Sequence, residues 1–209
     1  MKAFIYTGGN VNTQNITERP AAKDLRIAAD GGYANALALG QKVDILLGDF
    51  DSYTEKLPDD VEIIRVPAEK DFTDTQLAVS TAIERGADEI VIIGGLRGRL
   101  DHTLSTISIL QRLWKMRIHA IATDGINRVR YIDSSSTLIA RSQYKYVSVL
   151  AVSETLKGVS IEGCKYPLKK ARIDRDHQFA VSNEIEGNCA LISVRNGACY
   201  VIESTDEIK

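Results

Sequence analysis

The sequence predicts an N-terminal α/β domain built on a parallel sheet, followed by a small all-β sandwich domain. Three observations predict it. Up to about residue 125, short apolar runs alternate with stretches of helical period. Those apolar runs are nearly continuous, as in parallel strands covered on both faces. Beyond about residue 128 the helical period disappears, and short β-like runs recur every eight to twelve residues or so, which is sandwich or barrel spacing. The expected domains are therefore 1–125 and 126–209.

Six runs in the first part read as strands: AFIY (3–6), LRIAA (25–29), VDILL (43–47), EIIRV (62–66), EIVII (89–93) and IHAIA (118–122). Three helices lie among them. YANALALG stops at Gly40. TDTQLAVSTAIERG begins at Thr73 or Asp74, both good N-terminal residues, and stops at Gly86. Its apolar stripe is Ala78, Val79, Ala82 and Ile83. DHTLSTISILQRLWKM begins near Asp101, with Leu104, Ile107, Leu110 and Trp114 as the expected buried side. In the second part, STLIARS, KYVSVLAVS, KGVSIEG, YPLKKARI, QFAVSNEI, CALISVRNG and ACYVIES are the β-like runs. Tyr131, Tyr144 and Tyr146 read as sandwich residues.

Composition excludes several classes. Of 209 residues, 44% are hydrophobic and 26% charged, with a net charge of −2, as in an ordinary soluble domain. There is no basic stripe for nucleic acid and no run near the ~20 apolar residues of a membrane helix. MKAFIYTGGN makes a poor signal peptide. Cys164, Cys189 and Cys199 are odd in number and widely spaced, so buried or half-buried thiols are expected rather than a disulfide framework. A cytoplasmic location fits these features.

The polar residues of the first part collect at strand ends. They are Thr7-Gly8-Gly9-Asn10, Asp30-Gly31-Gly32, Gly48-Asp49-Phe50-Asp51-Ser52, Asp71-Phe72-Thr73-Asp74 and Gly94-Gly95-Leu96-Arg97-Gly98-Arg99-Leu100-Asp101. In a parallel sheet these C-terminal ends share one edge, where open α/β sheets bind ligands. Glycine turns let backbone N–H groups approach phosphate oxygens, and Arg97 or Arg99 can fork onto a phosphate. Acids so close would repel that phosphate unless a cation mediates, and Mg²⁺ commonly bridges one or two carboxylates to substrate phosphates. Asp49 and Asp51, two apart in an extended segment, would point the same way. Taken singly, each piece has a plainer reading. The Asp49/Asp51 pair can be a turn, Asp74 a helix N-terminal residue, Arg99–Asp101 a surface ion pair and His102 a helix-start residue. Their joint occurrence at successive strand ends favours a site. There is no GxxxxGK[ST] loop, and GGLRGRLD lacks the GxGxxG order.

The motifs AADGG (28–32), LLGDFDS (46–52), DFTD (71–74) and GGLRGRLDH (94–102), in this order, resemble the thiamine pyrophosphokinase family. GVSIEGCKYPL (158–168), VSNEIEG (181–187) and ISVRNGACYVI (192–202) are similar to its C-terminal segments. Tyr166-Pro167 departs from the animal chains, which have a Trp-Asn pair there. The resemblance implies an ATP- and Mg²⁺-binding α/β domain, a thiamine-binding and dimerisation sandwich, and a homodimer. It implies transfer of the β,γ-pyrophosphoryl group of ATP to the thiamine hydroxyl, releasing AMP.

The roles expected on that basis are these. Asp49, Asp51 and Asp74 hold one or two Mg²⁺ ions, with Asp71 a fourth acid. Arg99 steadies phosphate charge. Asp101 orients or deprotonates the thiamine hydroxyl. Asp30, Gly31, Gly32, Asp71, Thr73, Gly94, Gly95 and Arg99 meet the nucleotide, and Asp101, Ser182 and Asn183 meet thiamine. Other classes stay open on the residues alone: a haloacid-dehalogenase-type phosphatase, an Asp-x-Asp glycosyltransferase or a nucleotide-sensing regulator.

Overall fold

The computed structural model describes residues 1–49, 58, 60–66 and 71–206. They fall into two compact units, Met1–Gly125 and Ile126–Lys209.

The first unit runs β1 (Lys2–Tyr6), β2 (Leu25–Ala29), α1 (Gly32–Ala38), β3 (Ile45–Gly48), β4 (Glu62–Arg65), α2 (Asp74–Glu84), β5 (Glu89–Ile93), α3 (Leu100–Lys115) and β6 (His119–Thr123). Its strands lie in the order β4-β3-β2-β1-β5-β6, every neighbour parallel. From β1 the chain builds outward through β2 and β3 to β4, then returns to the other side of β1 with β5. The order therefore reverses between β1 and β5, and a crevice opens at the strands' C-terminal ends at such a reversal. Phe4, Ile5, Tyr6, Ile27, Leu46, Leu47, Ile90, Ile92 and Ile93 form the sheet's core, each at most 1% exposed.

Two expectations for this unit need correction. The fourth strand is not covered on both faces: Glu62 and Arg65 are exposed and Ile63 and Ile64 only half-buried, because β4 is an edge. The buried side of α3 is Thr106, Ile109, Leu110 and Leu113, while Leu104 is 55% exposed. Apolar residues occur on two sides of this helix, and its period alone does not say which side meets the sheet. The start of α2 is as expected. Thr73 is its N-cap, accepting from the Gln76 N–H, while the Gln76 side chain accepts from the Thr73 N–H.

The second unit comprises β7 (Asn127–Asp133), β8 (Ser136–Ala140), β9 (Tyr146–Ala151), β10 (Thr155–Glu162), β11 (Leu168–Asp174), β12 (Cys189–Ser193) and β13 (Ala198–Ser204). All its pairings are antiparallel, in the orders β7-β13-β9 and β11-β10-β12-β8. Inward residues such as Val147, Val149 and Val201 on one sheet and Leu156, Val159 and Ile192 on the other are at most 2% exposed.

Here too the sequence expectation shifts. QFAVSNEI forms no strand; it is held by isolated bridges, Val147 to Asn183 and Cys164 to Ile185. Ser182 sits at φ 56°, which interrupts an extended run. Conversely NRVRYID, which carries two arginines, is strand β7. Its arginines pair with Glu203 on the neighbouring β13, so the charges that disguise the strand are satisfied within the sheet. Cys164 and Cys199 are buried, as expected, but Cys189 is exposed on β12. Among the described residues, no helix is long and apolar enough to cross a membrane.

Candidate active site

At the switch point the turns after β1, β2 and β5 and the start of α2 surround a cleft of about 360 Å³. Thr7, Gly8 and Gly9 follow β1. Asp30 and Gly31 follow β2, Gly95, Arg97, Gly98 and Arg99 follow β5, and Thr73, Asp74 and Thr75 open α2; His102 and Thr106 of α3 complete the lining. The turn after β1 is tied from behind, since the Asn35 side chain of α1 donates to the carbonyls of Thr7 (2.8 Å) and Gly9 (3.0 Å). Thr7 and Thr75 share a hydroxyl hydrogen bond of 2.8 Å, which joins that turn to α2.

Of the residues expected to meet the nucleotide, Asp30, Gly31, Thr73, Gly95 and Arg99 line this cleft, together with Asp74. Gly32 and Gly94 do not; backbone packing requires their lack of a side chain. A Cβ on Gly32 would fall on the Tyr6 carbonyl oxygen, and one on Gly94 would lie 2.5 Å from the Thr7 carbonyl oxygen. Asp71 is exposed and stands two residues before the cap of α2. Asp49 ends the third strand's run, next to the point where Gly48 passes Asp30; a Cβ on Gly48 would lie 3.3 Å from the Asp30 Cα. Asp51 lies outside the described residues. Among the described residues no three His, Cys, Asp or Glu side chains converge as a metal-binding group.

Asp101 lines a smaller hollow of about 190 Å³ that shares Thr73, Thr75, His102 and Thr106 with the cleft. Arg99 forks onto it, Nε to Oδ1 at 3.2 Å and Nη2 to Oδ2 at 2.6 Å. That guanidinium first, and then the His102 backbone N–H, hold the Asp101 carboxyl down at about 2. Ser182 and Asn183 belong to the second unit. Ser182 is exposed, whereas Asn183 is 5% exposed and grips the Tyr166 backbone, accepting from its N–H at 3.0 Å and donating to its carbonyl at 2.7 Å.

The sequence reading placed Thr7 in a strand-end cluster without giving it a role, and did not single out Thr75 and Thr106. Their hydroxyls carry no motif, and only the fold brings them to one cleft.

A parallel sheet with a polar, glycine-lined cleft at its switch point, followed by an all-antiparallel second unit, places the protein in the class of two-part α/β proteins whose switch-point crevice binds ligands. The comparisons narrow this class. Residues 18–122 match the family described as thiamin pyrophosphokinase, catalytic domain, and residues 135–199 match thiamin pyrophosphokinase, vitamin B1 binding domain. The chain belongs to the thiamine pyrophosphokinase family. It is 31% identical to the thiamine pyrophosphokinase of Bacillus subtilis (strain 168), over 97% of this chain and 98% of that one. It is 26% identical to thiamin pyrophosphokinase 1 of Caenorhabditis elegans, over 85% of this chain and 78% of that one. The crystal structure of the Bacillus subtilis enzyme superposes with a TM-score of 0.88 at 28% identity, covering 99% of this chain and all 100% of that one. That from Geobacillus thermodenitrificans gives 0.83 at 27%, covering 99% of each. The chain is an enzyme, a kinase of thiamine diphosphate formation.

Proposed function

We propose that this enzyme takes the β,γ-pyrophosphoryl group from ATP, works with Mg²⁺, and acts as a homodimer in the cytoplasm. The thiamine hydroxyl oxygen forms a bond to the β-phosphorus, the bond from that phosphorus to the α,β-bridging oxygen breaks, AMP leaves, and the hydroxyl proton passes to a base or to solvent. The observation that carries the reading is the cleft in which Asp74 and Arg99 stand among glycine turns at the sheet's switch point, within a chain of this family. Such a transfer asks the protein mainly for positioning and charge stabilisation.

The donor set suits Mg²⁺. Asp74 in the cleft and Asp49 at the end of the third strand's run offer one or two carboxylates, which is what Mg²⁺ takes from protein when phosphates supply other ligands. Asp51 is proposed to join them, and Asp71 to stand in reserve outside. Bound there, the ion would neutralise charge on the polyphosphate. Gly8, Gly9, Gly31 and Gly95 offer close backbone approach, and Asp30 and Thr73 bound the nucleotide. Arg99 stabilises charge on the phosphates. Asp101 orients the thiamine hydroxyl; held at about 2, it is a weak proton acceptor while Arg99 stays on it. Ser182 touches thiamine directly, and Asn183 shapes the segment that does so.

Incubation with ATP, Mg²⁺ and thiamine should release AMP and thiamine diphosphate in equal amounts. ADP in place of AMP would overturn the pyrophosphoryl assignment. Asp49→Asn and Asp74→Asn should each lower kcat by ~10²-fold or more while the fold is kept. Near-normal turnover of Asp49→Asn at saturating Mg²⁺ would remove that residue from the metal set.

A further inference from the structure

Two arginines line the same cleft but are held in different ways. Arg99 is 74% exposed and pairs with Asp101, itself 63% exposed. An ion pair so open to water is worth little and is readily exchanged. Arg97 is 25% exposed, and its Nε lies 3.2 Å from Oδ2 of Asp124, whose side chain is 0% exposed. Arg97 follows β5 and Asp124 follows β6, adjacent strands whose ends share the cleft edge. Asp124 is fixed by the backbone on both sides. Its carbonyl accepts from the Asn12 N–H at 2.7 Å, and the next residue, Gly125, sits at φ 83° with no room for a Cβ against the Asn12 carbonyl. A buried carboxylate favours a cation beside it, and Asp124 thus restrains the Arg97 side chain.

We infer that Arg97 is the fixed phosphate-binding cation of this cleft, and that Asp124 is the positioning residue that presents it. The inference rests on the cleft being the nucleotide site, and it adds a division of labour. A guanidinium has five donors in a rigid fork, and Arg97 lines the cleft while its Nε faces Asp124. Arg97, fixed before the ligand arrives, contributes binding with little ordering cost. Arg99, free to leave Asp101, contributes to the transfer step. The triphosphate is thus gripped at Arg97 in the ground state, and loss of Arg97 is felt in KM for the nucleotide more than in kcat.

The test uses the intact enzyme. ATP and adenosine are each titrated calorimetrically in EDTA, and steady-state kinetics are measured with Mg²⁺. Arg97→Gln should weaken ATP binding about tenfold or more and raise the ATP KM in proportion, the usual scale for one charge-assisted contact. Adenosine affinity and the thiamine KM should move less than about twofold, and Arg97→Lys should recover part of the loss. Because Arg97→Gln removes the Arg97 charge from beside buried Asp124, the double variant Arg97→Gln/Asp124→Asn serves as the folding control. It should melt closer to the parent than Arg97→Gln does and still bind ATP weakly. Parent-like ATP affinity in a folded Arg97→Gln or double variant would overturn the inference and leave the pair a structural one. Failure of the pyrophosphoryl reading is separate: the parent would then form no AMP with thiamine, while the EDTA titration would still report whether Arg97 binds triphosphate.

Discussion

Asp101 shows how one neighbour sets the chemistry of a carboxylate. Arg99 forks onto both its oxygens, and the carboxyl is held at about 2. A depressed folded value means that its charge helps the fold above the ordinary carboxylate range near ~4 and that this help is lost as pH falls toward 2. Both groups are exposed, so the matter is one of proton affinity more than of stability. Arg99→Gln should raise the Asp101 value toward ~4, read from the carboxyl carbon shift in an NMR titration. A value that stays near 2 would assign the depression to the His102 N–H instead. The structure shows the plainer reading of the sequence, an exposed ion pair, and the proposed role is compatible with it, because an exposed pair is easily reopened by a phosphate.

Elements are decided by contacts that composition only partly reveals. The α1 helix begins against β1, where Gly32 leaves no space above the Tyr6 carbonyl oxygen. Gly32→Ala should therefore cost about 3 kcal/mol or more, by forcing the helix from the sheet and disturbing the turn that carries Asp30 and Gly31. Denaturant midpoints would check this, and a change under ~1 kcal/mol would mean the helix shifts freely. The family resemblance gave Gly32 and Gly94 to the nucleotide. The structure supplies a packing reason for both, while Gly31 and Gly95 line the cleft. Helix α3 teaches the same lesson about periodicity. Its start near Asp101 was legible, but its buried face was not, since Leu100 and Leu104 make a second apolar side that is 70% and 55% exposed.

At the scale of the whole chain, each unit carries a buried charge that the sequence did not announce. In the second unit Glu203 is 1% exposed, with Arg130 at 2.6 Å and Arg128 at 3.3 Å, and the Arg128 guanidinium lies 4.7 Å over the Tyr144 ring. Glu203→Ala would remove the buried acid that both guanidinium groups share and should lower stability by about 3–5 kcal/mol. Urea denaturation measures it; a loss below ~1 kcal/mol would mean that water reaches these groups. The same cluster explains why β7 escaped the sequence reading. Arginines at alternate positions look like a solvated face until the acid from β13 is beside them.

The sequence by itself determined the alternation of strands and helices, the change to antiparallel β-structure, and the gathering of acids and glycines at successive strand ends. These follow from local period and turn chemistry, and the ordered motifs were enough to point to the family. Only the tertiary structure decided which arginine pairs with a buried acid and which with an exposed one, which glycines serve packing, and which helix face is buried. Each of those depends on a partner brought in from another strand or turn, and a chain read in order carries no record of such distances.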